Sequence, residues 1–209
     1  MSGTTDTSDG RGSGRVERRR DRRKAEIVRT ATGILAEAGY QGMSLEGVAE
    51  KTDIAKATLY HYFSSKDELV AAALESLTQE VLHRLAEREA KAGRAGAGEL
   101  LAALVDEQVL ILTETAPEVA AAFSWPRVWP EAFEELMKDM RRRHDAVFRR
   151  VVERGLAEGE FTCENVNVAL QCLHGVLNQS AVWIRPGGRP GEREEARAAV
   201  VACALRLFV

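Results

Sequence analysis

The sequence predicts an all-α protein, with an N-terminal three-helix domain built around a helix-turn-helix and a larger C-terminal helical domain. Three observations carry this expectation. Residues 44–68 read as a short helix, a tight turn, a second short helix ending in aromatic residues, and the capped start of a third. Elsewhere apolar residues recur at intervals of three and four, and the period-two alternation of a half-buried strand is absent. The five prolines, Pro117, Pro126, Pro130, Pro186 and Pro190, all fall where helices should start or stop.

Residues 1–15 are rich in Ser, Thr, Gly and Asp, lack apolar side chains to bury, and are expected to form a disordered leader. From Arg11 to Lys24 eight Arg or Lys stand against Glu17 and Asp21 alone, a net +6. This run reads either as an arm for phosphates or the minor groove, or as a solubilising tail that extends helix one. In both readings it adds salt-sensitive, non-specific affinity for nucleic acid. Helix one itself is expected from Val16 to Ala38, with Ile27, Ala31, Ile34, Leu35 and Ala38 facing inward and Gly39 as its stop.

The next elements complete a DNA-reading domain over residues 16–64. Ser44 is placed to cap a helix of about two turns whose buried face is Leu45, Val48 and Ala49. Thr52-Asp53-Ile54 interrupts the pattern: Asp tolerates a left-handed turn, and Ile54 plugs the angle between two helices. The chain is helical again from about Ala55 to Tyr62, where Leu59 and Phe63 are spaced to bury. Lys56, Ala57, Thr58, Tyr60 and His61 then remain for a major groove about 12 Å wide, which admits one such helix. Ser44, Tyr62 and Lys66 are candidate anchors on the DNA backbone. Ser65-Lys66-Asp67-Glu68 forms a capping box, in which Ser65 takes the amide of Glu68 and Glu68 returns a bond to Ser65.

At these residues the chain resembles the TetR family of bacterial transcription regulators. The resemblance runs from about Lys24 to Leu77 and rests on Gly39-Tyr40, L-x-x-V-A at Leu45 to Ala49, K-x-T-L-Y-H-Y-F at Lys56 to Phe63, and S-K-x-x-L at Ser65 to Leu69. Three positions depart from the family pattern: Asp53 for the usual Gly, Ala55 where a Ser often caps the recognition helix, and Ala57 where Gly is common. The resemblance implies a repressor that leaves a palindromic operator on double-stranded DNA when a hydrophobic small-molecule effector binds. It also implies that residues 65–209 form a ligand-binding and dimerisation domain.

Within that domain, helices are expected at about 65–91, 98–114, 117–124, 130–157, 162–185 and 190–207, with Ala92 to Gly98 as a linker of small residues. Phe133, Met137, Met140, His144, Val147, Phe148, Val151 and Val152 make one apolar stripe on the helix from 130, which Gly155 to Gly159 ends. The last two helices offer small residues, Ala169, Cys172, Gly175, Val176 and Ser180, then Ala196, Ala199, Val200, Cys203, Ala204 and Leu207. Two such helices from each subunit suit a four-helix interface, so a homodimer through them is expected.

The ligand-binding candidates are Gln108, Ile111, Phe123, Trp125, Phe133, Met137, Met140, His144, His174 and Asn178. Helical position also allows Leu74, Leu77, Val81, Leu104, Leu173 and Leu177 on the wall. Trp183 to Gly188 reads W-x-R-P-G-G, which resembles a hairpin in the branch of the family that senses acyl-CoA thioesters. Arg127, Arg141, Arg142, Arg143, Arg149 and Arg150 are the nearby cations for such a ligand's phosphates.

Composition sets outer bounds. The chain has 209 residues, 45% of them hydrophobic, and a formal charge of −3, so the basic run matters through its placement rather than through net charge. The N-terminus is polar and no apolar run approaches the ~18 residues of a membrane span, so a cytoplasmic protein is expected. Cys163, Cys172 and Cys203 read as core thiols rather than disulfide or zinc ligands. His61, His83, His144 and His174 are isolated in sequence, and there is no phosphate loop or nucleophile elbow. No catalytic residue, metal site or cofactor is expected. The alternatives are a drug-responsive regulator of an efflux pump, a DNA-binding protein without a ligand, and, least favoured, a helical-bundle enzyme.

Overall fold

The structure, a computed structural model, describes residues 10–123, 129–184 and 190–209. Its elements are α1 (Gly10–Gly42), α2 (Leu45–Lys51), α3 (Lys56–Tyr60), α4 (Lys66–Ala92), α5 (Ala97–Leu110) with a π-helical turn (Ile111–Thr115), α6 (Pro117–Phe123), a 3₁₀ turn (Glu131–Phe133) leading into α7 (Glu134–Glu158), α8 (Val166–Trp183), and α9 (Pro190–Leu205) with a final 3₁₀ turn (Arg206–Phe208). No strand occurs among the described residues, in keeping with the all-α expectation.

Two compact units divide between Ala73 and Leu74. The division falls inside α4 rather than at residue 65, because the first two turns of α4, with Leu69, Val70 and Ala73 buried, count with the N-terminal helices.

In the first unit α1 begins at Gly10 instead of Val16, so residues 10–15 of the expected leader are helical; residues 1–9 lie outside the described residues. Arg15 to Arg22 are exposed, so burial does not hold this part of α1; its Arg residues favour a helix, whereas Gly10, Gly12 and Gly14 ahead of them do not. Ile27, Ala31, Ile34 and Leu35 are buried as expected, and Val28 and Thr32 join them. Ala38 is exposed, contrary to its place on the stripe, and Met43 is buried beyond the kink. That kink is Gly39, at φ 69° and ψ −178°, a conformation in which a side chain would be strained.

In the second unit α5 packs against α7, α8 and α9, and α8 also meets α6, α7 and α9. Leu101, Leu104, Val105, Phe148, Val152, Leu170, Leu173 and Ala204 are essentially inaccessible. The first turn of α5 has only Gly96 as its cap and borrows a carboxylate: the Gly98 amide donates to Glu160 Oε2 at 2.9 Å. Backbone amides of Gly98 and Ala97 hold the Glu160 pKa below the usual carboxylate range. Next to it, the Phe161 ring packs closely against Gly155 and meets Phe208 at 5.7 Å between centroids. α8 starts at Val166, later than 162, because Asn165 Oδ1 accepts the Val168 amide at 3.1 Å and so sets the first turn. Side-chain forks cross-link the helices: Arg143 grips both oxygens of Glu75 at 2.8 and 2.6 Å, and Arg197 reaches Asp106 at 2.7 Å.

Two expectations are corrected here. Cys172 and Cys203 are exposed and Cys163 sits half-buried in the loop before α8, so the three are not core thiols; the first two occupy the outward faces of their helices. Of the small residues assigned to assembly, Ala169, Ser180, Val200 and Ala204 are buried within the chain itself, whereas Cys172, Gly175, Ala199 and Cys203 do face outward.

Candidate functional site

The first candidate surface is the turn from α2 to α3. Ser44 Oγ accepts the Gly47 amide at 3.1 Å and caps α2. Thr52 closes α2, with its hydroxyl donating to the Val48 carbonyl at 2.7 Å. Asp53 then takes φ 51°, alone among the described non-glycine residues in having a positive φ, and the chain reverses into α3. Leu59 and Phe63 are buried, which leaves Lys56, Ala57, Thr58, Tyr60 and His61 exposed together on the opposite face. Lys56 is not free: it pairs with Glu46 of α2 and lies 5.9 Å from the centre of the Tyr60 ring. The hydrogen bond with Glu46 raises the Lys56 pKa and lowers that of Glu46, so both are fully charged near neutrality.

The start of α4 borders this surface. The Glu68 amide donates to Ser65 Oγ at 3.1 Å, as expected, but the Glu68 carboxylate does not return to Ser65. It accepts from the backbone N–H and the hydroxyl of Ser64, both at 2.7 Å, since one oxygen placed there takes two donors instead of one. Those bonds hold the Glu68 pKa low. Lys66 stacks its ammonium 4.2 Å over the ring of Tyr40, whose hydroxyl donates to Asp67 Oδ1 at 2.6 Å. Tyr40 thus positions Lys66, and Tyr62 is half-buried.

The second candidate site lies in the C-terminal unit, a cavity of about 540 Å³. Val81, Leu82, Leu112, Val119, Phe123, Met137 and Met140 give it an apolar interior, and exposed Arg141, Arg142, Asn167, Gln171 and Asn178 line it as well. One polar pair interrupts the apolar part. The Nε2 of His144 lies 2.9 Å from Gln108 Oε1, and Gln108 is only 4% exposed. Burial, with a smaller push from His174, lowers the His144 pKa to about 3, so its ring is neutral and gives its one Nε2 proton to Gln108. His174 bonds Asp145 Oδ1 at 3.1 Å, and Asp145 Oδ2 accepts from Arg149 at 3.0 Å. Phe148 holds the two imidazoles in place, with ring centroids 5.2 and 5.6 Å away.

Seven sequence candidates meet at this cavity: Gln108, Phe123, Met137, Met140, His144, His174 and Asn178. Ile111 and Phe133 do not. Both are buried away from it, Ile111 among α6 and α8 through the π turn and Phe133 beside Trp129. Trp125 lies outside the described residues, as do Arg127 and residues 185–188 of the W-x-R-P-G-G segment; Trp183 is 53% exposed. The two histidines, isolated in sequence, stand 5.3 Å apart. Sequence reasoning missed Thr78, Leu82, Leu112, Val119, Asn167 and Gln171, whose helical faces were indistinguishable from core or solvent faces. Of the candidate phosphate cations, Arg142, Arg143, Arg149 and Arg150 are engaged by Asp139, Glu75, Asp145 and Glu89. Arg141 makes no ion pair among the described residues and lines the cavity with Arg142.

A third feature is an outward stripe on α8, Val168, Cys172, Gly175, Gln179 and Val182, at the spacing of one helical face. Val168 is 58% and Val182 42% exposed. On α9 Ala198, Ala199, Ala202 and Cys203 are exposed in the same way. Among the described residues no His, Cys, Asp and Glu cluster has the arrangement to hold a metal ion, and no helix is long and apolar enough to cross a membrane.

Comparison with known proteins places both units. Residues 27–73 match the family described as bacterial regulatory proteins, tetR family, and residues 94–208 match the tetracyclin repressor-like C-terminal domain. The HTH-type transcriptional repressor KstR2 of Rhodococcus jostii is 25% identical over 175 residues, which cover 79% of this chain and 81% of that protein. A transcriptional regulator of the TetR/AcrR family from Thermobifida fusca is 28% identical with a TM-score of 0.67, over 88% of this chain and 97% of its own. The regulator FadR of Bacillus subtilis, solved in complex with stearoyl-CoA, shares the fold with a TM-score of 0.71 at 18% identity, over 88% and 96% of the two chains.

Proposed function

Because the chain belongs to the TetR family of bacterial regulatory proteins, we propose that it is a homodimeric repressor released from a palindromic operator by an amphipathic effector, most simply an acyl-CoA thioester. The observation that carries the effector class is the cavity itself: an apolar interior that suits an acyl chain, with exposed Arg141 and Arg142 on its lining to receive anionic phosphates. The stearoyl-CoA held by Bacillus subtilis FadR makes acyl-CoAs the first class to test.

On DNA, Lys56, Ala57, Thr58, Tyr60 and His61 face the major groove, while Ser44, Tyr62 and Lys66 engage the phosphate backbone. One five-residue recognition helix presents few contacts, so a two-fold dimer that doubles them is the economical assembly. The outward stripes of α8 and α9 supply its interface. Half-site centres then lie about 34–36 Å apart or somewhat more. The effector acts by changing the separation of the two reading heads. A complete switch from 1:99 to 99:1 requires about 10⁴-fold preference for the form that does not bind DNA, so intermediate release is expected for suboptimal chains.

Gel-shift titration of the operator complex with acyl-CoAs of graded chain length, beside free CoA and lipophilic cationic drugs, tests this reading. Acyl-CoAs release the DNA and free CoA does not. Release by the drugs alone would replace the reading with that of an efflux regulator. Light scattering at micromolar concentration checks the assembly: a monomer with undiminished operator affinity defeats the dimer.

A further inference from the structure

We propose that the effector carries a neutral carbonyl oxygen, and that the side-chain N–H₂ of Gln108 donates to that oxygen from the cavity wall. The proposal rests on the reading of the cavity as the effector site and specifies which chemical group is recognised there.

Gln108 is 4% exposed and lines the cavity. Its Oε1 is occupied by His144 Nε2 at 2.9 Å, which turns the amide nitrogen away from the ring. No protein acceptor meets that nitrogen among the described residues. An amide N–H₂ without a protein acceptor on a cavity wall is a donor waiting for a ligand acceptor, because leaving it unmade in a dry, filled cavity carries a desolvation cost. Val81, Leu112, Met137 and Met140 share the lining and offer no acceptor, and the Thr78 hydroxyl on it donates to the Leu74 carbonyl at 3.0 Å.

Charge decides what kind of acceptor fits. His144 is neutral and brings no positive charge, and the acidic group on the lining, Asp145, repels a second carboxylate. Arg149 is engaged by Asp145. A ligand carboxylate beside Gln108 therefore finds no counter-ion, whereas a ketone, ester or thioester oxygen needs none. An anionic end is accommodated instead by exposed Arg141, which makes no ion pair among the described residues, with Arg142 beside it on the lining and paired to Asp139. The molecule that satisfies both places has an apolar chain, an uncharged carbonyl and a separate anionic head.

The test compares ligands that differ only in that oxygen. Calorimetric titration of the full-length protein uses decanoyl-CoA against its S-decyl thioether, and methyl octyl ketone against its methylene isostere and the corresponding secondary alcohol. The wild type is expected to favour each carbonyl compound by about tenfold, the factor that one neutral hydrogen bond supplies. In Gln108→Leu and Gln108→Met, checked for an unchanged melt, the ratio of affinities between each carbonyl compound and its carbonyl-free partner falls to about one, whatever the absolute affinities become. Equal wild-type affinity for the members of both pairs, tighter binding of the alcohol, or a preference that survives in a folded variant overturns the proposal. The two pairs separate it from the reading it rests on. Failure of both CoA compounds to bind removes the acyl-CoA reading, and the uncharged set then decides the carbonyl by itself, no binding of the ketone counting against it. If the variants do not fold, the wild-type comparison still decides.

Discussion

Replacing Gly155 by Ala places a Cβ 2.2 Å from Cδ2 and 2.6 Å from Cε2 of Phe161. Carbon atoms in contact prefer about 3.5–4.0 Å, so the ring must move by roughly 1 Å or more. It has little room to do so. Phe161 is 6% exposed, its amide donates to the Gly155 carbonyl at 3.1 Å, and its ring abuts the fully buried Phe208, whose carbonyl accepts the Thr162 amide at 3.0 Å. Overpacking of this kind costs about 1–3 kcal/mol. Ala in place of Gly inside a helix returns about 1 kcal/mol, so a severe clash leaves a net loss of about 1–2 kcal/mol. For a chain of this length each kcal/mol moves Tm by about 2–4 °C, which predicts a fall of about 2–8 °C in the unfolding of the C-terminal unit by circular dichroism. Adding Phe161→Leu should restore part of the loss, because the smaller side chain makes room for the methyl group. A Gly155→Ala melt at or above the wild-type temperature refutes the reasoning.

Lys66→Ala should weaken binding to every DNA sequence alike and reduce the slope of log affinity against log salt by about one, measured by fluorescence anisotropy; a loss confined to one base position would make Lys66 a base reader. Asp53, held at φ 51°, should tolerate Gly within about 1 kcal/mol of urea stability but lose about 1–2 kcal/mol as Val, which has no easy left-handed conformation; equal stability of the two variants contradicts this. His144 is depressed from 6.5 to about 3 in the folded chain, so below 6.5 the unfolded chain binds a proton that the folded chain refuses. Its contribution to stability is therefore complete above 6.5 and declines as pH falls toward 3, by at most about 1.4 kcal/mol per unit, and His144→Asn should flatten that decline in urea titrations at graded pH. A Cβ at Gly175 meets nothing within 4 Å in the chain, so Gly175→Arg should fold normally yet run as a monomer by light scattering; a dimer of unchanged affinity moves the interface elsewhere.

The reading head was legible because its physics is local. Ser44, Asp53, Leu59, Phe63 and the Ser65–Glu68 cap each act on neighbours within a few residues, and their spacing alone specifies two short helices and a turn. The misassigned partner of Glu68 came from a choice between two adjacent serines that spacing does not distinguish. The cavity was legible only in outline. Met137, Met140 and His144 announce an apolar face with a polar insertion, but which face looks into a void and which into a neighbouring helix depends on packing across long separations in sequence. Ile111 and Leu112 are adjacent, both apolar and both buried, and only the second lines the cavity. Cys172 and Cys203 misled for a related reason: an outward apolar stripe on α8 and α9 has the same periodicity as an inward one, and a single chain's sequence does not mark the difference.

The π turn at Ile111–Thr115, closed by the Ala116 amide on the Ile111 carbonyl at 3.0 Å, gives residue count a meaning independent of residue identity. Such a turn holds one residue more than the α-helix it interrupts. Deleting a single residue there would let α5 end in ordinary register and would turn the direction in which the chain leaves it toward α6 by about 100°. Val119 and Phe123, which α6 turns toward the cavity, would then point elsewhere, with their composition untouched. A one-residue deletion at this joint would thus re-line the chamber without replacing any of its side chains, and sequence identity would barely register the change.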